Sequence, residues 1–493
     1  MQFDFDVGII GGGSAGYAAA RTTTCAGLKT VVIEGGEEVG GLCILRGCMP
    51  TKALLYMGEV AHLVKNSALF GVRTGKVSFD FKKAMARKHL LIKEFADYRA
   101  NQLNSGKFQF FRANAKFLDA HTVALTRTDG KGQKTKFPAT ITAKHFVIAT
   151  GSSIAPMPIG ELNELNCLNS DSALELKKLP KSLIVLGGGP TACEFAQFFA
   201  RFGVRVTLVQ RGEHVLRDHD PDAATAVECV FKREGIRVFA GTKLLNAKRK
   251  GKLKTVYFEH KGKTAFVSAE DILFALGRVP TTASLGLEKA GVKVRPDGTI
   301  IADELMQTSA PHIYTAGDCA GPYEIVHIAT YQGEIAGRNI AKSGSMRVDY
   351  RLLVSVVFTD PQLAYVGLTE KMAAAKGIPF LAASYPFNDH GKSILMNAMD
   401  GFVKLLADPK TGEIIGGACA GPTGGELIHE IVAAMAKRMT VQELAAMPHY
   451  HPTLAEIWTY PAEELAEKIS HAVSFAGLAV RTDIAWSEKN DLG

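Results

Sequence analysis

The chain spells one local instruction twice, and that repetition limits its fold more than anything else in it. Phe5 to Ile10 is a short apolar run followed by the turn Gly11-Gly12-Gly13-Ser14-Ala15-Gly16. An alanine-rich stretch then reaches Gly27, and Thr30-Val31-Val32-Ile33-Glu34 is a second apolar run. Leu183 to Leu186, Gly187-Gly188-Gly189-Pro190-Thr191-Ala192, Glu194 to Phe202 and Val204 to Gln210 repeat the order. Each predicts a buried strand, a tight turn, a helix and a second strand, the βαβ start of a dinucleotide-binding fold. One such turn is a weak signal. Two in full context are strong.

The physics is the same at both places. Gly11, Gly13, Ser14 and Gly16, and again Gly187 and Gly189, let backbone amides approach a pyrophosphate at a helix N-terminus. Glu34, closing its second strand, can accept hydrogen bonds from an adenosine ribose. Gln210 takes the equivalent place in the second unit and is followed by Arg211 and, further on, Arg217. A carboxylate there would repel a 2′-phosphate, whereas guanidinium groups would hold it bidentately. The second site therefore leans towards NADP(H) over NAD(H).

Two further segments return towards the first nucleotide unit: His145 to Gly151, a strand with a small-residue turn, and Ile313 to Asp318, with Asp318 placed to meet a polar ligand tail. The second unit then reads as an insertion in the first domain. From about Tyr350 the pattern changes to strands (Val354 to Phe358, Gly401 to Leu406, Ile414 to Ala420) and then to helices from Glu426, a third, α+β domain. A length of 493 residues suits about three domains.

Composition narrows the setting. With 22% charged and 47% hydrophobic residues the chain reads as globular, and no apolar run suggests a membrane span. The acidic start, Asp4 and Asp6, is unlike a signal peptide, so a cytoplasmic protein is expected. The net charge of +8 is too mild to argue for nucleic acid, and Lys243 to Lys254 reads as a solvated hairpin face. Of eight cysteines only Cys43 and Cys48 are close neighbours, which in a reducing compartment reads as redox or metal chemistry.

That pair sits in Gly40-Gly41-Leu42-Cys43-Ile44-Leu45-Arg46-Gly47-Cys48-Met49-Pro50-Thr51-Lys52, with a helix expected over Thr51 to about Leu63. The spacing can close a disulfide, and a thiolate at Cys48 would gain from the positive end of the helix. A zinc site would need further Cys or His at metal spacing, and only His62 is near, so no metal is expected. Near the other end, His451 precedes Pro452, and Glu456 can return to fix its imidazole tautomer, a base with its orienter.

Together these motifs resemble the FAD-dependent pyridine nucleotide–disulfide oxidoreductases, the group of lipoamide dehydrogenase, glutathione reductase and mercuric reductase. The likeness runs through Gly11 to Gly16 with Glu34, Cys43 to Lys52, Ala149-Thr150-Gly151, Gly187 to Glu194, Gly277-Arg278, Gly317-Asp318, Phe358 to Pro361 and His451 to Glu456. It implies an α/β fold with two Rossmann-like domains: FAD over 1–153 and 278–347, NAD(P)H over 154–277. A dimerisation domain over 348–475 and a tail over 476–493 follow. It also implies that Cys48 is the flavin-proximal charge-transfer thiol and Cys43 the interchange thiol. Lys52 and Glu194 form the ion pair beside the flavin and nicotinamide. Ala115, Thr150, Gly151, Asp318 and Gly277 join the cofactor contacts. His451 and Glu456 would serve the cysteine pair of the partner subunit in a homodimer.

The departures sharpen the expectation. Leu42, Leu45 and Arg46 replace the usual residues of the redox loop, and Arg46 adds a cation able to lower a thiol pKa or attract an acidic substrate. Pro190 stands where glutathione reductases carry an aromatic gate, and the chain ends without the vicinal cysteines of standard mercuric reductases. Dihydrolipoyl dehydrogenase-like exchange between NAD(P)H and a dithiol or lipoyl group is the first expectation. An NADPH-dependent reductase of a low-molecular-weight disulfide is second and a metal-ion reductase third. A scaffold flavoprotein would lack the cysteine pair or the His–Glu pair, and both are present.

Overall fold

In a computed structural model the protein is described over residues 2–128 and 137–472, so the tail expected at 476–493 lies outside the described residues. The described residues form two compact units that divide between Leu363 and Ala364.

The first unit holds both nucleotide folds. Its larger parallel sheet runs Gln109–Phe117, Thr30–Glu34, Phe5–Ile10, Thr140–Ile148 and Ile313–Thr315. Val7, Ile9, Val31, Val32, Phe146 and Val147 are fully buried, which is why these strands are continuous apolar runs and do not alternate. Each such side chain contributes about 1.5–3 kcal/mol by burial. The helix Ser14–Cys25 turns Ala15, Ala18, Ala19 and Ala20 inward, and their small size lets it pack closely on the helix Val326–Ala341.

The smaller sheet is parallel throughout, in the order Asp271–Phe274, Ser182–Leu186, Arg205–Val209, Arg237–Phe239. It is built from chain lying between Thr140–Ile148 and Ile313–Thr315, the insertion expected from the sequence. The basic stretch does form a hairpin, Thr242–Lys250 with Leu253–His260. One residue departs from the solvated reading. Lys254 is only 5% exposed, and its ammonium donates to Asp271 and to the Asn166 carbonyl, so its aliphatic stem is core and its charge is paired.

In the second unit the sheet includes Gln362–Gly367, Ile414–Gly421, Phe402–Ala407 and Leu381–Pro386 in that spatial order. Helices Gly424–Ala436 and Thr459–Ala472 complete the α+β domain. No helix among the described residues is long and apolar enough to cross a membrane.

Candidate active site

The two glycine turns are constructed alike. Gly11 has φ +109°, and a Cβ there would lie 2.2 Å from the Ala149 carbonyl oxygen. Gly187 has φ +116°, with a Cβ position 2.3 Å from the Ala275 oxygen. Only glycine satisfies both the angle and the space. Gly13 and Gly189 then cap the helices Ser14–Cys25 and Pro190–Arg201 without a side-chain cap, leaving the first amides of each helix for a ligand.

The residues around the first turn fit FAD. Glu34 accepts the Gly12 amide at 2.8 Å and the Gly36 amide at 2.6 Å, fixing its carboxylate at the end of its strand. Arg112, paired with Glu34 in register, is 6% exposed; its Nη2 donates to the Gly36 and Glu37 carbonyls, while Nε and Nη1 are buried and unpartnered. Thr150 Oγ1 is also buried without a partner, beside Gly151. Such orphans cost about 1–3 kcal/mol each, so a ligand rich in oxygen and nitrogen acceptors suits both ends of the groove. Asp318 accepts from Ser152, which in turn accepts from Arg278 Nε. Ala115 lies further along the strand that carries Arg112, and Gly277 accepts the Ala155 amide.

At the second turn Gln210 takes the place of Glu34 without its charge. A Cβ on Gly188 would meet the Gln210 side chain at 2.7 Å, just as one on Gly12 would meet Glu34 at 3.0 Å. The Gln210 amide is occupied by the Arg211 N–H and the His214 carbonyl. Arg211 is exposed, and the Arg217 side chain is 61% exposed beside Asp218, in the loop that follows the strand.

The redox segment rests directly on the first turn. Gly41, φ +74°, begins the short helix Gly41–Leu45, and a Cβ on it would stand 2.7 Å from the Gly13 Cα. Cys48 opens the helix Cys48–Asn66, three residues earlier than the sequence suggests. Both cysteines are free thiols in hydrogen-bond contact. That contact and the Lys52 ammonium bring Cys48 down to about 7 against the opposing effect of burial. The same contact and burial push Cys43 up. One thiol is therefore tuned to be the thiolate and the other to hold the proton.

Lys52 is the cation that acts on both sulfurs. Arg46, expected there, instead pairs with Glu38 at 3.0 Å, and both are largely exposed. Lys52 Nζ donates to both oxygens of Glu194, at 2.9 and 2.8 Å, although 142 residues separate them. Glu194 is 3% exposed and also accepts the Phe358 amide at 3.0 Å. The same face of the Pro190–Arg201 helix continues with Gln197, bonded to Asp360 backbone atoms, and Arg201, paired with Glu234 and Asp360. His62, Glu234 and Asp360 have ligand atoms within 4.8 Å of one another. The Arg201 guanidinium already neutralises both carboxylates, so the cluster is an ion-pair network tying the nucleotide helix to the redox helix.

In the second unit His451 Nδ1 stands 3.0 Å from Glu456 Oε2. A carboxylate only accepts, so Nδ1 carries the proton and Nε2 keeps its lone pair. The His451 side chain is 79% exposed and that of Glu456 11%. The neighbouring His449 is buried between Glu430 and the Met447 carbonyl, so it is structural. Sequence reasoning missed two groups. The Arg99 guanidinium lies 4.4 Å over the Tyr17 ring, and its Nε and Nη1 are buried without a partner. His390, fully buried, approaches Glu456 from the other side. Neither stands in a motif, and only the folded chain reveals them.

Two dinucleotide folds joined through an ion pair to a tuned dithiol define a flavoprotein that moves electrons between a pyridine nucleotide and sulfur. Residues 5–333 match the family described as pyridine nucleotide-disulphide oxidoreductase and residues 353–462 its dimerisation domain, and the chain belongs to that family. It is 33% identical over 455 residues to a dihydrolipoyl dehydrogenase of Geobacillus stearothermophilus, covering 92% of this chain and 95% of that protein. It is 33% identical over 456 residues to a mercuric reductase of Bacillus cereus, covering 92% and 70%. Among solved structures, LpdA of Mycobacterium tuberculosis superposes with a TM-score of 0.83 at 29% identity, covering 93% and 99%. The Cu(II) complex of the HOCl-induced flavoprotein disulfide reductase RclA of Escherichia coli gives 0.82 at 26%, covering 94% and 100%.

Proposed function

We propose that the protein exchanges electrons between NADP(H) and a small dithiol–disulfide substrate of the dihydrolipoyl kind, as a homodimer. The observation that carries the reading is the Cys43–Cys48 pair, with Cys48 tuned to about 7 beside a Lys52–Glu194 pair that reaches into the nucleotide helix. FAD, when bound, supplies the two-electron relay. Cys43 exchanges with the substrate sulfur, Cys48 holds the charge, and His451 Nε2 takes the proton of the substrate thiol while Glu456 fixes its ring. In the homodimer the His451–Glu456 pair serves the partner's cysteines. Support for a lipoyl-type substrate comes from the relatives named dihydrolipoyl dehydrogenase.

A second reading, reduction of an anionic low-molecular-weight disulfide, is favoured by Arg99, a cation with buried unpartnered donors in the neighbourhood of Cys43. Anaerobic titration of the FAD-loaded protein with NADPH and with NADH, then with lipoamide and with oxidised glutathione, tests both. A long-wavelength band raised by NADPH and relieved by lipoamide supports the first reading, and relief by glutathione alone supports the second. Bleaching without that band overturns the dithiol route altogether.

The coenzyme preference rests on Arg211 and Arg217. Replacing both by alanine is expected to weaken NADPH about 10- to 100-fold, the scale of a lost charge-assisted clamp, and to change NADH less than about threefold. Equal losses for the two coenzymes, measured as KM, would show that the pair does not hold a 2′-phosphate.

A further inference from the structure

We infer that His390 is a positioning residue for the His451–Glu456 pair, holding the second carboxylate oxygen so that Glu456 sits between two imidazoles with separate tasks. The inference rests on the reading of His451 as the thiol base. The strand Leu381–Pro386 and the turn Phe387–Asp389 deliver His390 to the start of the short helix Gly391–Met396. In sequence it lies in Phe387-Asn388-Asp389-His390-Gly391-Lys392, which reads as a polar surface turn. In the fold it is 0% exposed.

The geometry assigns its ring. Nδ1 lies 2.8 Å from Ser393 Oγ, and Nε2 lies 3.4 Å from Glu456 Oε1. His451 uses the other oxygen, Oε2. A bare lone pair on Nε2 would face a carboxylate oxygen and repel it, so the Nε2–H tautomer fits, with the Ser393 hydroxyl donating to Nδ1. Nε2 is short of full hydrogen-bond geometry here, which leaves Glu456 room to tighten on it.

Burial then divides the labour. The other groups facing His390 are the rings of Tyr460 from the final helix and of Phe387, each 6.4 Å away, the Thr453 backbone, which favours its protonation, and His451, whose charge opposes it. Asp389 is bound by the hydroxyl of Tyr385, which stacks on Tyr460 and is pushed up to about 12, chiefly by burial and by Asp389. Tyr385 therefore stays neutral through the working range. Desolvation also disfavours a charged His390, against the pull of Glu456. The buried imidazole remains a neutral donor, and the exposed one, His451, is free to cycle its proton. A donor on Oε1 shares the charge of Glu456 and so weakens that carboxylate as an acceptor for the His451 N–H.

The experiment is the pH profile of kcat/KM for dihydrolipoamide oxidation by the FAD-loaded dimer. His390→Phe keeps a ring and removes the donor, and is expected to move the acid limb up by about one pH unit with the alkaline plateau within about threefold. His390→Gln, which can place an N–H near Nε2, should return the limb to its original position. A His390→Phe limb at the wild-type position, or a limb that His390→Gln does not restore, overturns the inference. If the Phe variant does not fold, Ser393→Ala decides, because freeing Nδ1 should shift the limb in the same direction, and an unmoved limb overturns the inference. The base reading fails separately: His451→Gln with undiminished oxidation would remove it whatever His390 does.

Discussion

Cys48→Ser is expected to cut disulfide turnover by about three orders of magnitude or more while FAD stays bound. The serine hydroxyl would occupy the same half-buried place at the start of the Cys48–Asn66 helix, so the fold has little reason to change. It cannot supply the anion that the Cys43 contact and the Lys52 ammonium draw from a thiol already brought down to about 7. Three readouts separate chemistry from folding. The long-wavelength band of the NADPH-reduced protein should vanish, the flavin content should not fall, and alkylation of the reduced protein should lose the component whose rate rises through about pH 7. The sign follows from the acid: below that pH Cys48 is a thiol and slow, above it a thiolate and fast. An unchanged band in the variant would sink the assignment of Cys48.

His451→Gln should carry the second largest loss, about 10²- to 10⁴-fold in dihydrolipoamide oxidation, the range of a positioned general base. Glutamine can still meet Glu456 but cannot take a proton, so the loss reports proton transfer more than packing. Reduction of the protein by NADPH does not involve that proton and should be nearly unaffected in stopped-flow measurements. Equal losses in both half-reactions would mean that His451 is structural. His449→Gln makes a useful contrast, because His449 is already engaged by Glu430 and Met447 and should act on stability alone.

What could be read from the sequence divides along a physical line. Gly11 and Gly187 were legible because their task is done by the backbone, and no other residue type can do it. The Cys43–Cys48 spacing and the His451–Glu456 spacing were legible because both partners are local in the chain. Glu194 lies within the nucleotide insertion, 142 residues from Lys52, and no local pattern joins them; only the family likeness brought them together. Lys254 misled and His390 gave no signal, for a common reason. Each stands among polar neighbours that promise a solvated position, and each is buried with its polar end turned to a distant acid, Asp271 for Lys254 and Glu456 for His390. Arg99 gave no signal, since its significance lies in what it does not bind. Arg46 was the opposite case: prominent in the redox loop, it is taken up by Glu38.

The contact between Gly13 and Gly41 has a bearing on how such a protein can be altered. The Gly13 backbone leaves no room for even a methyl group on Gly41, so the nucleotide turn and the redox segment behave as a single inheritable block. A redox loop taken from a relative with another substrate brings its own seating requirements, and it will dock only on a turn with the same bare surface. Recombination or design that moves both pieces together preserves that seat. Moving one alone asks the backbone to make space it does not have.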